Sequence, residues 1–218
     1  MKEDHWLNPV FGEEFHRPSK PRSTGVTMVI DRGLGQNAFD EFLETNGEYI
    51  DQIKFAYGTA AFYDRHLLNR KLQVCHERDI LVYPGGTLFE VAHQADSTNE
   101  YFNTLLETGF KAVEISDGSI QLSPEIRGEL IARASERGLI VMSEVGKKDP
   151  DRQPDPEDMA RQVRRDFKSG AEYVTIESRE SGKGIGIYDQ QGEIVESRLN
   201  RLVDPIDRTE KLLWEAPL

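Results

Sequence analysis

The chain has 218 residues, of which 37% are hydrophobic and 30% are charged, a balance typical of a folded domain and too apolar for a disordered one. Its formal net charge of −12 at pH 7 argues against nucleic acid and against anionic membrane surfaces as partners, because both would repel it. A small anionic ligand is still allowed, provided that a local basic pocket offsets the acidic surroundings.

The N-terminal sequence MKEDHWLNPVF is charged and lacks the apolar core of a signal peptide. Nowhere does the sequence contain the roughly 20 consecutive apolar residues that cross a bilayer. The sole cysteine, Cys75, excludes an internal disulfide. We therefore expect a cytoplasmic protein without a membrane partner.

Residues 1–24 are polar and proline-containing, and predict an irregular lead-in to a single domain over residues 25–218. In that domain short apolar runs alternate with helical patterns. The helix over 123–138 has the clearest boundaries, because Ser123 suits the N-cap, Pro124 the first helical position and Gly138 the end. Strands are predicted over 25–31, 50–58, 80–86, 111–118, 139–145, 171–178 and 211–217. Helices are predicted over 37–49, 65–79, 88–109 (with a break near Asp96–Ser97), 123–138, 156–170 and 193–203.

The alternation of strand and helix predicts parallel strands joined by right-handed crossovers. The strand ends recur at about 30-residue intervals, close to the βα unit of a (β/α)₈ TIM barrel. Seven strands are counted, so the predicted fold is an α/β barrel, C-terminally incomplete, that lacks its last βα unit. The open edges of such a barrel would favour a homo-oligomer. A doubly wound open sheet is the alternative, ranked lower because no glycine-rich dinucleotide motif opens a helix.

Three glutamates stand at equivalent places near the ends of successive strands. Glu114, Glu144 and Glu177 follow one another at intervals of 30 and 33 residues. Functional groups of parallel barrels lie at the carboxyl ends of the strands, where carboxylates that converge need a cation beside them. A hard divalent cation such as Mg²⁺ would suit them, although a single glutamate can also be an ordinary polar strand end.

The sequence EVGKKDP continues the fifth strand and carries two lysines. Because side chains alternate along a strand, Lys148 would share the side of Glu144, while Val145 and Lys147 would face the helices. We take Lys148 as the main candidate for a proton donor or an anion anchor, and Lys147 as the second catalytic candidate. The alternative is that both are solvated loop lysines without a catalytic role.

Two glycine-containing loops, YPGGTLFE and ESRESGKGIG, combine close backbone approach with hydroxyl or basic side chains that could hold an anion. Each could equally be an ordinary strand–helix connection. Together with groups at the other strand ends, they give the following candidate substrate-binding residues: Lys54, Thr59, Gly86, Thr87, Ser116, Arg179, Ser181, Gly182 and Lys183.

Seven stretches in the same order resemble the phosphosulfolactate synthase family and cover some nine tenths of the chain. They are GVTMVIDRGL, YIDQIKFAYGT, YPGGTLFE, GFKAVEISDGSI, SEVGKKDP, SGAEYVTIESRESGKGIGIYD and LLWEAP. The resemblance implies a (β/α)₈ barrel that adds sulfite to phosphoenolpyruvate with Mg²⁺, giving (2R)-2-O-phospho-3-sulfolactate, an intermediate of coenzyme M biosynthesis. It also implies that Lys148 is the general acid.

The sequence departs from the family pattern in two places. Ala60 stands where members often carry serine, and the family continues beyond EAP through a last strand and helix. Two other functions are therefore kept open. One is a non-catalytic, heat-stress-type homologue that acts by binding partners; the other is a different Mg²⁺-dependent barrel enzyme that acts on a phosphorylated enol or keto acid.

Overall fold

The computed structural model describes residues 17–149, 152–178 and 182–216. The predicted strands are all confirmed within these ranges, each shorter than its apolar run because the flanking residues form the connections. They are β1 Met28–Asp31, β2 Gln52–Phe55, β3 Leu81–Pro84, β4 Ala112–Ile115, β5 Ile140–Val145, β6 Ala171–Ile176 and β7 Leu212–Trp214.

The helices lie between the strands, as predicted, with one more helix than the sequence pattern counted. They are α1 Gln36–Asn46, α2 Arg65–His76, α3 Gly86–Gln94, α4 Thr98–Thr108, α5 Pro124–Glu136, α6 Pro156–Ser169 and α7 Glu196–Val203. The extra helix arises at the predicted break, where Asp96 adopts a left-handed φ of 53°. That conformation ends α3, and aspartate tolerates it better than most residues because its side chain can hydrogen-bond locally.

Within the described residues, every pair of hydrogen-bonded strands among β1–β7 is parallel. Hydrogen bonds join β1, β2 and β3 in one ladder and β4, β5, β6 and β7 in another, and β3 lies beside β4. The chain therefore has the parallel, TIM-barrel-like α/β architecture that the sequence period predicted. In the described part of the chain, none of the helices is both long enough and apolar enough to traverse a bilayer.

Side chains of each strand alternate between the helices and the interior of the strand wall. Ile53, Val113 and Val174 belong to a large apolar cluster with the helices, and each is completely buried. Tyr83 and Met142 belong to a smaller cluster enclosed by the strands. Burial of each such side chain contributes about 1.5–3 kcal/mol, so a one-residue slip of any strand would be strongly unfavourable.

The interior of the strand wall also contains charged side chains, which lie toward the carboxyl ends of the strands. Lys54 on β2, Glu114 on β4 and Glu144 on β5 all point inward at the carboxyl ends and are at most 6% exposed. The parallel register pairs Lys54 with Tyr83, Glu114 with Met142 and Glu144 with Thr175, so the charged side chains lie level with uncharged inward residues of the neighbouring strands. The fold thus places its buried charges where TIM barrels place their active sites.

Candidate active site

A pocket of about 600 Å³ opens at the carboxyl ends of the strands. Its floor is charged and its rim is partly apolar, with Tyr57 and Trp214 among the rim residues. Its charged lining residues are Arg32, Lys54, Glu114, Glu144, Lys148, Glu177 and Glu215. A concave site with convergent charged groups is the arrangement expected of an enzyme that binds a small polar substrate.

A second cavity of about 440 Å³ opens at the opposite ends of the strands. Among the described residues that line it, Arg22 is the sole lysine or arginine, and its guanidinium donates to Asp51 at 2.8 Å. This cavity therefore offers an anionic substrate little, and the chemistry belongs to the pocket at the carboxyl ends.

Lys54 is the centre of the pocket floor. Its Nζ lies 2.5 Å from Glu144 Oε2 and 3.2 Å from Glu215 Oε1. It also lies 2.9 Å from Glu114 Oε1, at ion-pair distance but outside hydrogen-bond geometry. Burial alone would lower the pKa of Lys54, but the surrounding glutamates outweigh burial and raise it well above its ordinary value. Lys54 is therefore a permanent cation that holds acidic groups in place.

Glu114 and Glu144 share this lysine but differ in their proton affinity. Burial, opposed by Lys54 and reinforced by Glu144, raises the pKa of Glu114 to about 7. Burial also acts against ionised Glu144, but Lys54 outweighs it and the pKa of Glu144 falls below its ordinary value. Glu114 is thus the carboxyl group that takes up a proton first, while Glu144 stays ionised.

Replacing Glu114 with glutamine is expected to stabilise the protein, in the absence of divalent ions, by about 3 kcal/mol at pH 8. Because the folded-state pKa of Glu114 is raised, wild-type stability falls as the pH rises from about 4.5 to about 7, and glutamine removes that loss. The gain should therefore vanish near pH 4.5. Urea unfolding at several pH values in the presence of a chelator measures it.

Glu144→Gln is the matched control, because its carboxylate has a lowered pKa and stabilises the folded state above pH 4.5. Glu144→Gln should destabilise the protein at pH 8. Equal losses of stability in both variants would contradict the assignment of the proton to Glu114.

Three carboxylates at the pocket floor could hold a cation. Glu144, Glu177 and Glu215 each offer an oxygen within 4.8 Å of the others. Carboxylate oxygens at this spacing suit a hard divalent ion. The predicted trio of Glu114, Glu144 and Glu177 is thus brought together only in part, with Glu215 in the place of Glu114.

Glu114 is not part of this three-carboxylate group, because both of its carboxylate oxygens contact other groups. Oε2 accepts a hydrogen bond of 2.6 Å from the Gly86 amide at the start of α3, and Oε1 faces Lys54. This bond also occupies the amide that was a candidate for binding a substrate anion. Glu215 continues the inward alternation of β7 from Leu213, and that alternation was the available sequence signal.

The two adjacent lysines point in different directions, as the alternation predicted. Lys148 lines the pocket, with its Nζ 3.4 Å from Thr87 Oγ1. Lys147 instead donates to Asp117, 2.6 Å from the carbonyl oxygen and 2.5 Å from Oδ2. Since Lys147 does not line the pocket, its candidacy as a catalytic residue has no geometric support.

The remaining predicted substrate-binding residues divide into three groups. Lys54, Gly86 and Thr87 line the pocket. Thr59 and Ser116 do not line it, because their hydroxyls donate to Ala56 O at 2.8 Å and to Glu90 Oε1. Gly182 is buried and Lys183 exposed, both outside the pocket lining, while Arg179 and Ser181 lie outside the described residues.

Arg32 and Tyr57 are rim residues that were not among the predicted site residues. The Arg32 guanidinium lies 5.3 Å from the centre of the Tyr57 ring. Tyr57 has a φ of 56°, a conformation uncommon outside glycine and often found at functional sites. Arg32 follows Asp31 at the end of β1, so its position at a strand end was visible in the sequence.

Comparison with known proteins shows that the chain resembles enzymes, as a pocket with convergent charged groups suggested. The family described as (2R)-phospho-3-sulfolactate synthase matches residues 15–218. Phosphosulfolactate synthase of Methanothermobacter thermautotrophicus is 44% identical over 92% of this chain and 78% of its own length. The same enzyme of Methanocaldococcus jannaschii is 43% identical over 88% of this chain and 77% of its own length.

Among solved structures, a phosphonopyruvate hydrolase in complex with oxalate and Mg²⁺ aligns with a TM-score of 0.53 at 12% identity. The alignment covers 87% of this chain and 66% of that chain. At this identity the likeness concerns the fold alone.

Proposed function

The chain belongs to the phosphosulfolactate synthase family, and we propose that it joins sulfite to C3 of phosphoenolpyruvate with Mg²⁺ to form (2R)-2-O-phospho-3-sulfolactate. One observation carries the proposal. Glu144, Lys148, Glu177 and Glu215 converge on a single pocket at the carboxyl ends of the strands. A metal-binding acidic group and a lysine in one pocket are what this addition needs.

The reaction makes one carbon–sulfur bond and one carbon–hydrogen bond. The sulfur lone pair of sulfite attacks C3, and the electrons of the C2–C3 double bond move onto the substrate carboxylate. When bound, Mg²⁺ would stabilise the negative charge that develops there. Lys148 donates a proton to C2, which forms the new stereocentre and leaves the lysine as a neutral amine.

The other pocket residues have supporting roles. Glu144, Glu177 and Glu215 would hold the metal ion, and Lys54 fixes the orientation of Glu144 and Glu215 through its ion pairs. Thr87 and Arg32 provide polar contacts for the anionic groups of the substrates. We further propose that the partners are the small anions phosphoenolpyruvate and sulfite, that the protein acts in the cytoplasm, and that its product is used for coenzyme M or sulfolactate formation.

The proposal is tested by incubating the purified protein with phosphoenolpyruvate, sulfite and Mg²⁺ and searching for phosphosulfolactate by mass spectrometry. Product that disappears on chelation supports the synthase. No product from a folded protein would reject it and leave the partner-binding homologue. Turnover of another phosphorylated enol or keto acid, in a substrate panel without sulfite, would favour a different barrel enzyme.

Glu215→Gln is expected to raise the half-saturating Mg²⁺ concentration at least about 10-fold, since it removes one of three carboxylates from the proposed metal site. Glu114→Gln is the matched control and should change it less than about 2-fold, because Glu114 binds Gly86 and Lys54 instead. Binding of Mn²⁺ followed by electron paramagnetic resonance provides a readout independent of activity. The opposite ranking of the two variants would return Glu114 to the metal site.

A further inference from the structure

The loop between β4 and α5, residues 116–119, contacts Lys148 through both backbone and side chain. The Lys148 amide donates to Gly118 O at 3.3 Å. A Cβ atom added at Gly118 would lie 3.0 Å from Lys148 Cε and 3.2 Å from Cγ. The aliphatic part of Lys148 therefore lies against a surface that exists because residue 118 has no side chain.

A buried carboxylate on α3 fixes one side of this loop. Glu90 is 3% exposed and accepts hydrogen bonds from Gly118 N at 2.9 Å and Ser119 N at 3.1 Å. It also accepts one from the Ser116 hydroxyl. Three bonds from residues 116, 118 and 119 to one carboxylate hold the loop in one conformation, although Glu90 itself does not line the pocket.

Two cations fix the other side through Asp117. Lys147 donates to Asp117 Oδ2 at 2.5 Å, and Arg127 donates to Oδ1 at 2.9 Å. Arg127 is 2% exposed, donates to Glu144 O at 2.8 Å and pairs with Asp166. The loop is thereby tied to the same end of β5 that carries Glu144 and Lys148.

We infer that residues 116–119 form a positioning loop that aims the Lys148 ammonium group at C2 of the substrate, with Gly118 as the contact surface and Lys147 as an anchor. The inference rests on the proposed function, in which Lys148 is the proton donor. It also gives the two neighbouring lysines separate roles: the Lys147 ammonium holds the loop at Asp117, and the aliphatic chain of Lys148 lies on Gly118.

Gly118→Ala tests the contact surface. The added methyl would lie closer to Lys148 than ordinary van der Waals contact, so the Lys148 side chain must shift by a few tenths of an ångström. Displacement of a reacting group by about 1 Å can cost roughly 100-fold in rate, so we expect this smaller shift to lower kcat by roughly 3-fold or more, with KM within about 2-fold. Protonation by water should then compete, so the product should lose configurational purity at C2. Gly35→Ala is the matched control, because an added Cβ there meets no atom within 4 Å and φ is −69°.

Lys147→Met tests the anchor at a partly exposed side chain, where folding is not at risk, and should reduce kcat and configurational purity in the same sense. The positioning role would be overturned if both variants kept the wild-type kcat and the wild-type configurational purity of the product at C2. A change in KM alone would also overturn it. Absence of product from the wild-type chain would instead overturn the proposed function and, with it, the role assigned to the loop. Product from wild type and Gly35→Ala but an impaired, folded Gly118→Ala confirms the inference.

Discussion

Lys148→Ala is expected to lower kcat by about 1,000-fold, within the range that positioned general acids contribute. The lysine lines the pocket from the same strand end as Glu144, and the proposed reaction needs one proton at C2. If Lys148 acts as the acid, KM for phosphoenolpyruvate should change little. Steady-state kinetics with product quantified by mass spectrometry measures both parameters.

Lys148→Arg separates proton donation from simple anion binding. Arginine keeps the positive charge but does not release a proton at accessible pH, so kcat should remain low. If the role of Lys148 were to anchor an anion, Lys148→Arg would recover most of the activity and Lys148→Ala would chiefly raise KM. Unchanged kcat in Lys148→Ala would remove the residue from the chemistry altogether.

Lys54→Met is expected to destabilise the protein by about 3–5 kcal/mol at pH 8, because it leaves buried carboxylates without their cation. Lys54 is 6% exposed and lies within 3.2 Å of oxygens of Glu144 and Glu215. Much of a typical domain stability of about 5–15 kcal/mol would be lost. Urea unfolding without divalent ions measures the loss.

Two further variants test whether the loss of stability in Lys54→Met comes from buried carboxylates that have lost their cation. Lys211→Met removes an amine that pairs with the half-exposed Glu172, and should cost less than about 1 kcal/mol. Lys54→Met combined with Glu114→Gln should recover part of the stability, since one of the uncompensated carboxylates is gone. A Lys54→Met protein as stable as the wild type would show that the glutamates take up protons without difficulty and that Lys54 is not their essential partner.

The strand positions and the inward direction of the charged residues could be predicted from the sequence, because both follow from short-range rules. A parallel barrel repeats its βα unit at nearly constant length, and side chains of a strand alternate strictly. These rules predicted that Glu144 and Lys148 would share one side and that Lys147 would leave it. They say nothing about which neighbour each group finds across the pocket.

The residues that could not be assigned depend on such neighbours. Glu114 has a strand-end position equivalent to that of Glu144, yet the start of α3 supplies the Gly86 amide to it. Ser116 likewise resembles a pocket hydroxyl but reaches Glu90, 26 residues earlier in the chain. Contacts of this kind arise from the packing of helices against strands, and no local pattern encodes them.

The ion pairs of Lys54 also bear on how the pocket assembles. Lys54 is 90 residues from Glu144 and 161 residues from Glu215, so the pocket floor joins groups from early, middle and late parts of the chain. Closing loops of this length is entropically costly and slow compared with forming local helices. During synthesis, Glu144 and Glu177 emerge well before Glu215, and the three-carboxylate cluster cannot exist until β7 has joined β6. We therefore expect affinity for the proposed metal ion to arise late in folding, and a fragment that ends before β7 to lack it however well its earlier strands are formed.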